Sequence, residues 1–202
     1  ETLKVQAYIT AAIRLLGPRI AKFQQAFPQI SLQLDSASRW DFDPQQADVA
    51  LVFKESGQVS EHNWRGLFPY QVTPICAPSL LQGLANPASV AHILSLPLIE
   101  VHTQEQYWDM WLEAAGLEAL KSRSTLSVDT LAIALEMALG GEGVALINGP
   151  FATRELDQGS LVLPFDCPLV LGEWGLVYAK DSPRQVQIEA FVDWIEHDLS
   201  TR

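Results

Sequence analysis

The sequence has little positive charge and no long apolar run. Of its 202 residues, 13 are Lys or Arg and 24 are Asp or Glu, which gives a formal net charge of −11. Because a protein that holds nucleic acid by itself needs a basic face, this balance argues against direct DNA binding by these residues. No apolar run reaches the roughly 18 residues of a membrane-spanning helix. A signal peptide would show a basic start followed by an apolar core, and the sequence has no such segment. We therefore expect a cytoplasmic protein.

Cysteine is scarce as well. The two cysteines, Cys76 and Cys167, lie far apart, and both occur in apolar stretches. We expect two buried thiols in a reducing compartment, and a redox sensor is the alternative.

Catalytic motifs are absent from the sequence. It contains no G-x-S-x-G elbow, Walker loop, H-E-x-x-H or C-x-x-C. The run Gly140-Gly141-Glu142-Gly143 lacks the Lys-Ser/Thr of a phosphate loop and leads into an apolar stretch, so we interpret it as a helix stop. The four histidines have no ligand-like spacing, which argues against a metal site. We therefore expect no enzyme, no catalytic residue and no cofactor.

What is present is an alternation of apolar strands and amphipathic helices. Residues 3–7 are predicted to form a strand, and residues 11–27 are predicted to form a helix that is interrupted at Gly17-Pro18. Strands at 30–34 and 49–53 follow, the second apolar throughout, as in a strand buried in a mostly parallel sheet. This order is the start of an α/β unit.

The later elements are predicted in the same way. The long extended stretch 67–76 contains Pro69 and Pro74, which suits an edge strand or a connector between lobes. Thr103 to Gln106 matches a capping box, and Asp129 is a plausible cap for the helix that carries Leu131. Further strands are predicted at 97–101, 125–128, 144–147, 161–163 and 176–178, and a last helix at 185–199.

Polar residues directly follow several predicted strands or open the helices after them. They are Thr10, Ser36, Ser38, His102, Thr103, Asp129, Thr130 and Asn148. In open α/β sheets, ligands bind beyond the carboxyl ends of strands, and helix starts there offer unpaired N–H groups. We therefore interpret these residues as candidates for binding a small polar or anionic molecule. Helix capping is the alternative for Thr10, Asp129 and Thr130, and a solvated or core histidine is the alternative for His102.

Two tryptophans, Trp40 and Trp174, belong to no helical apolar stripe. Aromatic side chains commonly line small-molecule pockets, so we interpret them as candidate pocket walls. Packing between lobes is the alternative.

Seven short motifs, in order, resemble the effector-binding domain of LysR-type transcription regulators over essentially the whole chain. They lie at Leu15–Ile20 with Phe27-Pro28, Ile30–Leu34, Ala47–Leu51, Pro74–Leu80, Gly141–Leu146, Leu156–Phe165 and Phe191–Ile195. The stretch Trp108–Gly116 is most similar to the subfamily of glycine-cleavage and β-lactamase gene activators. Near the expected cleft, Val52-Phe53-Lys54 replaces that subfamily's usual Arg-Tyr-Gly, and Asn148 stands where proline or alanine is common.

The resemblance implies an α/β fold like that of type 2 periplasmic binding proteins, with two lobes joined by two crossing strands. Lobe I would comprise 1–72 and 181–202, and lobe II 73–180. A DNA-binding winged helix-turn-helix would lie outside this chain, before its first residue, and the protein would form homodimers or homotetramers.

The resemblance also places an effector cleft between the lobes, with residue types matching Thr10, Thr130 and Trp174 at or near it. We add Phe53 to these candidates because of its position at the departure from the subfamily pattern. A solute-binding protein that delivers its ligand to a transporter is the first alternative, and an enzyme on the same fold is the second.

Overall fold

The computed structural model describes residues 2–37, 42–83, 90–102, 106–116 and 125–201. The chain forms two compact units, Glu1–Tyr70 with Leu171–Arg202, and Gln71–Val170. The second boundary between the units lies between Val170 and Leu171. This is earlier in the chain than the boundary between 180 and 181 that the resemblance implied. Residues 171–178 belong to the first unit because their strand pairs with Val49–Glu55 there.

The strands and helices alternate along the chain. Among the described residues, the strands are β1 Thr2–Tyr8, β2 Ser31–Ala37, β3 Val49–Glu55, β4 Asn63–Ile75, β5 Leu98–Val101, β6 Thr125–Val128, β7 Val144–Ile147 and β8 Leu169–Tyr178. The α-helices are α1 Ile9–Ala11, α2 Gly17–Ala26, α3 Val90–Leu94, α4 Gln106–Ala114, α5 Leu131–Leu139, α6 Thr153–Asp157 and α7 Gln185–Ser200. Short 3₁₀ helices cover Pro78–Leu81 and Pro150–Ala152. None of the described helices combines the length and the hydropathy that crossing a membrane requires.

In the first unit the strand order is β2-β1-β3-β8-β4. β1 lies parallel to β2 and to β3, while β8 runs antiparallel to β3. On β1, Leu3, Val5 and Ala7 are fully buried at alternate positions, the period of two expected of a strand with one face in the core. The predicted α/β start of the chain is confirmed.

The helical run after β1 has a π-helical turn at Ala12–Leu16, directly before α2, whose first turn contains Pro18. Proline cannot donate the backbone hydrogen bond of a continuous helix, and the predicted interruption at Gly17-Pro18 is confirmed. Next to it, buried Arg19 donates to Leu15 O at 2.7 Å and pairs with Asp198 Oδ2 at 2.8 Å. This ion pair fastens α2 to α7.

In the second unit the strand order is β4-β7-β5-β6, and β5 runs parallel to both β6 and β7. Trp108 and Trp111 of α4 are buried, and their indole N–H groups donate to Ile99 O at 2.9 Å and Cys167 O at 2.7 Å. This face of α4 therefore belongs to the core of the second unit.

Three sequence-based predictions of local structure are wrong. Residues 161–163 form no strand; Val162 makes only an isolated bridge to Cys76, because the chain around it turns away. The cap of α5 is Thr130 and not Asp129. Cys76 is buried as expected, but Cys167 is only partly buried. The capping box at Thr103 to Gln106 lies largely outside the described residues.

Candidate functional site

The polar candidate residues described in the first unit, Thr10 and Ser36, lie at the carboxyl ends of its parallel strands. Thr10 follows β1 and is 5% exposed. Ser36 is exposed near the end of β2, where it is in register with Ala7 of β1. Thr10 sits within α1, whose cap position is Tyr8, so helix capping does not account for it. A buried hydroxyl therefore stands where β1 passes into the helix.

Trp174 lies in a cluster of five aromatic rings, all in the first unit, which we call the aromatic cluster: Tyr8, Phe53, Phe68, Tyr70 and Trp174. Phe53 and Trp174 are paired residues of β3 and β8, and their ring centroids are 5.0 Å apart. Tyr8 lies 5.4 Å from Phe53 and 5.9 Å from Trp174.

The aromatic cluster brings two of the predicted residues together and links them to β1. Tyr8 immediately precedes the helix that contains Thr10, so the cluster ends beside the buried threonine in the chain. Trp174 is only 2% exposed, and it is fixed by its neighbours. Sequence reasoning missed Tyr8, Phe68 and Tyr70; the aromatic residues at alternate positions 68 and 70 of the extended stretch are the signal that could have indicated them.

The candidate residues of the second unit follow its three adjacent parallel strands. Thr130 comes after β6, His102 after β5 and Asn148 after β7. His102 is exposed, Thr130 is half-buried and Asn148 is 4% exposed. Since parallel strands end at the same edge of a sheet, these side chains lie along one edge.

Thr130 combines a capping role with a place at this edge. Its Oγ1 accepts a hydrogen bond from Ile133 N at 3.4 Å, at the start of α5. No acidic residue occupies the first turn of α5. The partial positive charge of the helix start favours a polar or anionic group beside it, and the exposed carboxylate of Asp129, which precedes the cap in the chain, offsets part of that charge.

Ser38, Trp40 and Thr103 fall outside the described residues. Within the residues that are described, no group of three or more His, Cys, Asp or Glu side chains is arranged to hold a metal ion.

The comparisons with known families and proteins agree with one another. The LysR substrate binding domain family matches residues 1–200. The chain is 32% identical over 196 residues to the transcriptional activator AmpR of Citrobacter koseri, covering 96% of this chain and 66% of that protein. It is 28% identical to the glycine cleavage system transcriptional activator of Escherichia coli K12, covering 96% of this chain and 63% of that protein. The chain thus spans less than two thirds of the length of these relatives.

Solved structures of effector domains have the same fold. The effector domain of AmpR from Pseudomonas aeruginosa is 29% identical, with a TM-score of 0.83 over 100% of this chain and 96% of that one. The AmpR effector-binding domain of Citrobacter freundii, at 24% identity, has a TM-score of 0.85 over 100% of both chains.

Proposed function

This chain belongs to the LysR substrate-binding domain family, and from that premise we propose that it binds a small effector molecule and thereby controls a transcription regulator. Its fold is the mixed α/β, type 2 periplasmic-binding-like fold of LysR effector domains. The relatives named above are transcription regulators, which are not enzymes. The alternative of a solute-binding protein that serves a transporter is not favoured by these relatives.

The observation that carries the proposal is the placement of polar groups at the carboxyl edges of the parallel strands. In the first unit, Thr10 offers a buried hydroxyl where β1 ends. In the second unit, Thr130 follows β6 and caps the start of α5, and Asn148 follows β7. We propose that these residues donate or accept hydrogen bonds with the effector, and that Phe53 and Trp174 give it an apolar wall.

The effector is proposed to be a small polar or anionic metabolite. The helix start at Thr130 favours negative charge locally, whereas the net charge of −11 opposes long-range attraction of an anion. Affinity must therefore come from nearby donors. Ser36 and His102, both exposed, would contribute at the edges of the site.

Regulation follows from linkage. A ligand that binds one arrangement of the protein more tightly shifts the equilibrium by its differential affinity. DNA contact is proposed to belong to a part of the regulator outside this chain, because these residues carry a net charge of −11. We also propose that the protein is cytoplasmic and that it forms homodimers or homotetramers.

A thermal-shift screen of small metabolites tests the proposal. At a ligand concentration of 100 times Kd, specific binding adds about 2.7 kcal/mol to the stability, or roughly 5–10 °C in Tm for a chain of this size. Thr130→Ala should reduce the shift, while Thr125→Ala, an exposed threonine of β6, should keep it. If the ligand raises the Tm of Thr130→Ala, Thr10→Ala and Trp174→Phe as much as it raises the Tm of the wild type, the ligand does not bind at the proposed site.

A further inference from the structure

The first unit contains a cavity of about 540 Å³ beside the segment that joins β3 to β4. Its lining includes Val52 and Val177, which are 7% and 4% exposed. The half-buried rings of Phe42 and Trp64 pack against the cluster that these valines form with Ala50, and they also line the cavity. The volume falls within the roughly 300–1,000 Å³ typical of small-molecule pockets. Of the residues proposed above to contact the effector, the cavity shares Phe53 alone.

The indole of Trp64 lines the cavity and is held in place by three neighbouring residues. Its Nε1 donates to Glu173 Oε2 at 2.7 Å, and the ammonium of Lys54 lies 4.5 Å from the ring centroid. Beneath the ring is Gly175, where an added Cβ would come within 2.5 Å of Trp64 Cζ2. The glycine thus lets the indole approach the sheet closely, and with Lys54 over the ring the indole is held in position before any ligand arrives. Preorganised walls of this kind lower the entropic cost of binding.

The charges around the cavity favour a cation. Lys54 lies 3.9 Å from Glu173, so these two charges largely offset each other. Glu173 lies outside the lining, whose own carboxylates are those of Glu55 and Glu61, both exposed. With histidine counted as neutral, the lining has a formal charge of −1, and −2 when Glu173, the partner of Lys54 outside the lining, is included. The chain as a whole is also negative, at −11, which adds long-range attraction for cations.

We propose that this cavity is a second ligand site, which takes a small aromatic amine. The ring would lie against Phe42 and Trp64 above the two valines. The protonated nitrogen would remain at the rim, close to the carboxylates of Glu55 and Glu61, where water can still reach it. An apolar floor with a charged, solvated edge is the environment that an amphipathic cation of this shape requires.

Calorimetric titration of the chain with phenethylamine tests the ligand class. Phenylpropionate has the same ring with a negative charge, and butylamine has the same charge without a ring. We expect saturable binding of phenethylamine that is about tenfold tighter than that of either comparison compound, since each exposed charge pair contributes modestly. Equal binding of phenylpropionate, or no binding of phenethylamine, would overturn the proposal.

Variants at the rim test the location. Glu55→Gln with Glu61→Gln should weaken phenethylamine binding by about two- to fivefold per carboxylate. The matched control is Glu113→Gln with Glu142→Gln, two exposed glutamates of the second unit, which should leave the affinity unchanged. Because all four side chains are exposed, these changes leave the core intact. Rim variants that bind as tightly as the wild type would contradict the proposal.

Amide chemical shifts separate this site from the effector site. Phenethylamine should perturb Val52, Lys54, His62 and Val177, and Thr10→Ala should not change its affinity. Perturbations centred on Thr10 and Thr130 instead would mean that the amine occupies the proposed effector site, and the second site would be rejected. Failure of the amine to bind would leave the effector site untouched, because its test uses other ligands and other residues.

Discussion

Cys76 illustrates how enclosure controls the chemistry of a single residue. It is fully buried, and its backbone exchanges two hydrogen bonds with Val162, at 3.1 and 2.9 Å. Burial penalises the thiolate and raises the pKa of the Cys76 thiol to about 11. Since the thiolate is the reactive form, a buried thiol of this kind is inert, which argues against a redox role for it.

The prediction for Cys76 is slow alkylation in the native protein. A pKa raised from 9.0 to about 11 keeps the thiol protonated through pH 8, so the thiolate fraction is about a hundredfold lower folded than unfolded. Iodoacetamide labelling at pH 8, read by peptide mass spectrometry with and without urea, measures this. Partly buried Cys167 is the internal reference. Native Cys76 that labels as fast as it does in urea would contradict the prediction.

Thr130 and Trp174 show which part of a residue's role follows from the sequence. The position of Thr130 after a short strand and before an apolar helix indicated a place at the strand ends, with helix capping as the alternative, and the structure shows that Thr130, not the predicted Asp129, is the cap. The ring contacts of Trp174 could not be predicted, because they depend on the register of β8 against β3 and on the approach of β4. Local patterns do not encode such long-range pairings.

At the scale of elements, the end of α5 has a glycine in the conformation that only glycine adopts readily. Gly141 has φ of 77°, and its N–H donates to Ala138 O at 3.1 Å, while Glu142 N donates to Met137 O at 3.0 Å. These are the two bonds of a Schellman motif, so the predicted helix stop is confirmed. Gly140 by contrast is right-handed, at φ −71°.

Two neighbouring substitutions therefore should differ sharply. Gly141→Ala should lower the free energy of unfolding by about 1–2 kcal/mol, because a side chain disfavours the left-handed region. Gly140→Ala should be neutral, or stabilising by about 0.4–1 kcal/mol, because its backbone suits alanine. Urea denaturation of both variants provides the measurement. Equal effects of the two changes would show that the left-handed cap is not the cause.

Periodicity located most elements but not the full length of β8. The sequence predicted a strand at 176–178, whereas β8 begins at Leu169 and contains Gly172 and Gly175. Glycine normally weakens a strand prediction, yet both are required here. A Cβ on Gly172 would lie 2.0 Å from Lys54 O, and one on Gly175 would meet Trp64. The close approach of a neighbouring strand is a tertiary demand that single-sequence propensity cannot express.

For the whole molecule, the order of motifs was more informative than any one of them. Seven motifs in sequence predicted the family and hence the fold, and the family match over residues 1–200 confirms that prediction. The division into units was harder to place, because β4 and β8 each continue across a boundary without a change in composition. The proposed contacts of Thr10, Thr130 and Trp174 with an effector rest on the strand ends and on the family resemblance.

The measurement that tests the central claim most directly is the calorimetric Kd of the screened effector for the wild type, Thr10→Ser and Thr10→Ala. Loss of the buried hydroxyl should weaken binding by about 0.5–1.5 kcal/mol for a neutral partner, roughly two- to thirteenfold, and more for a charged one. Thr10→Ser keeps the hydroxyl and should bind nearly as the wild type does. Identical affinity of Thr10→Ala and wild type would contradict the claim that this chain senses its effector at the end of β1.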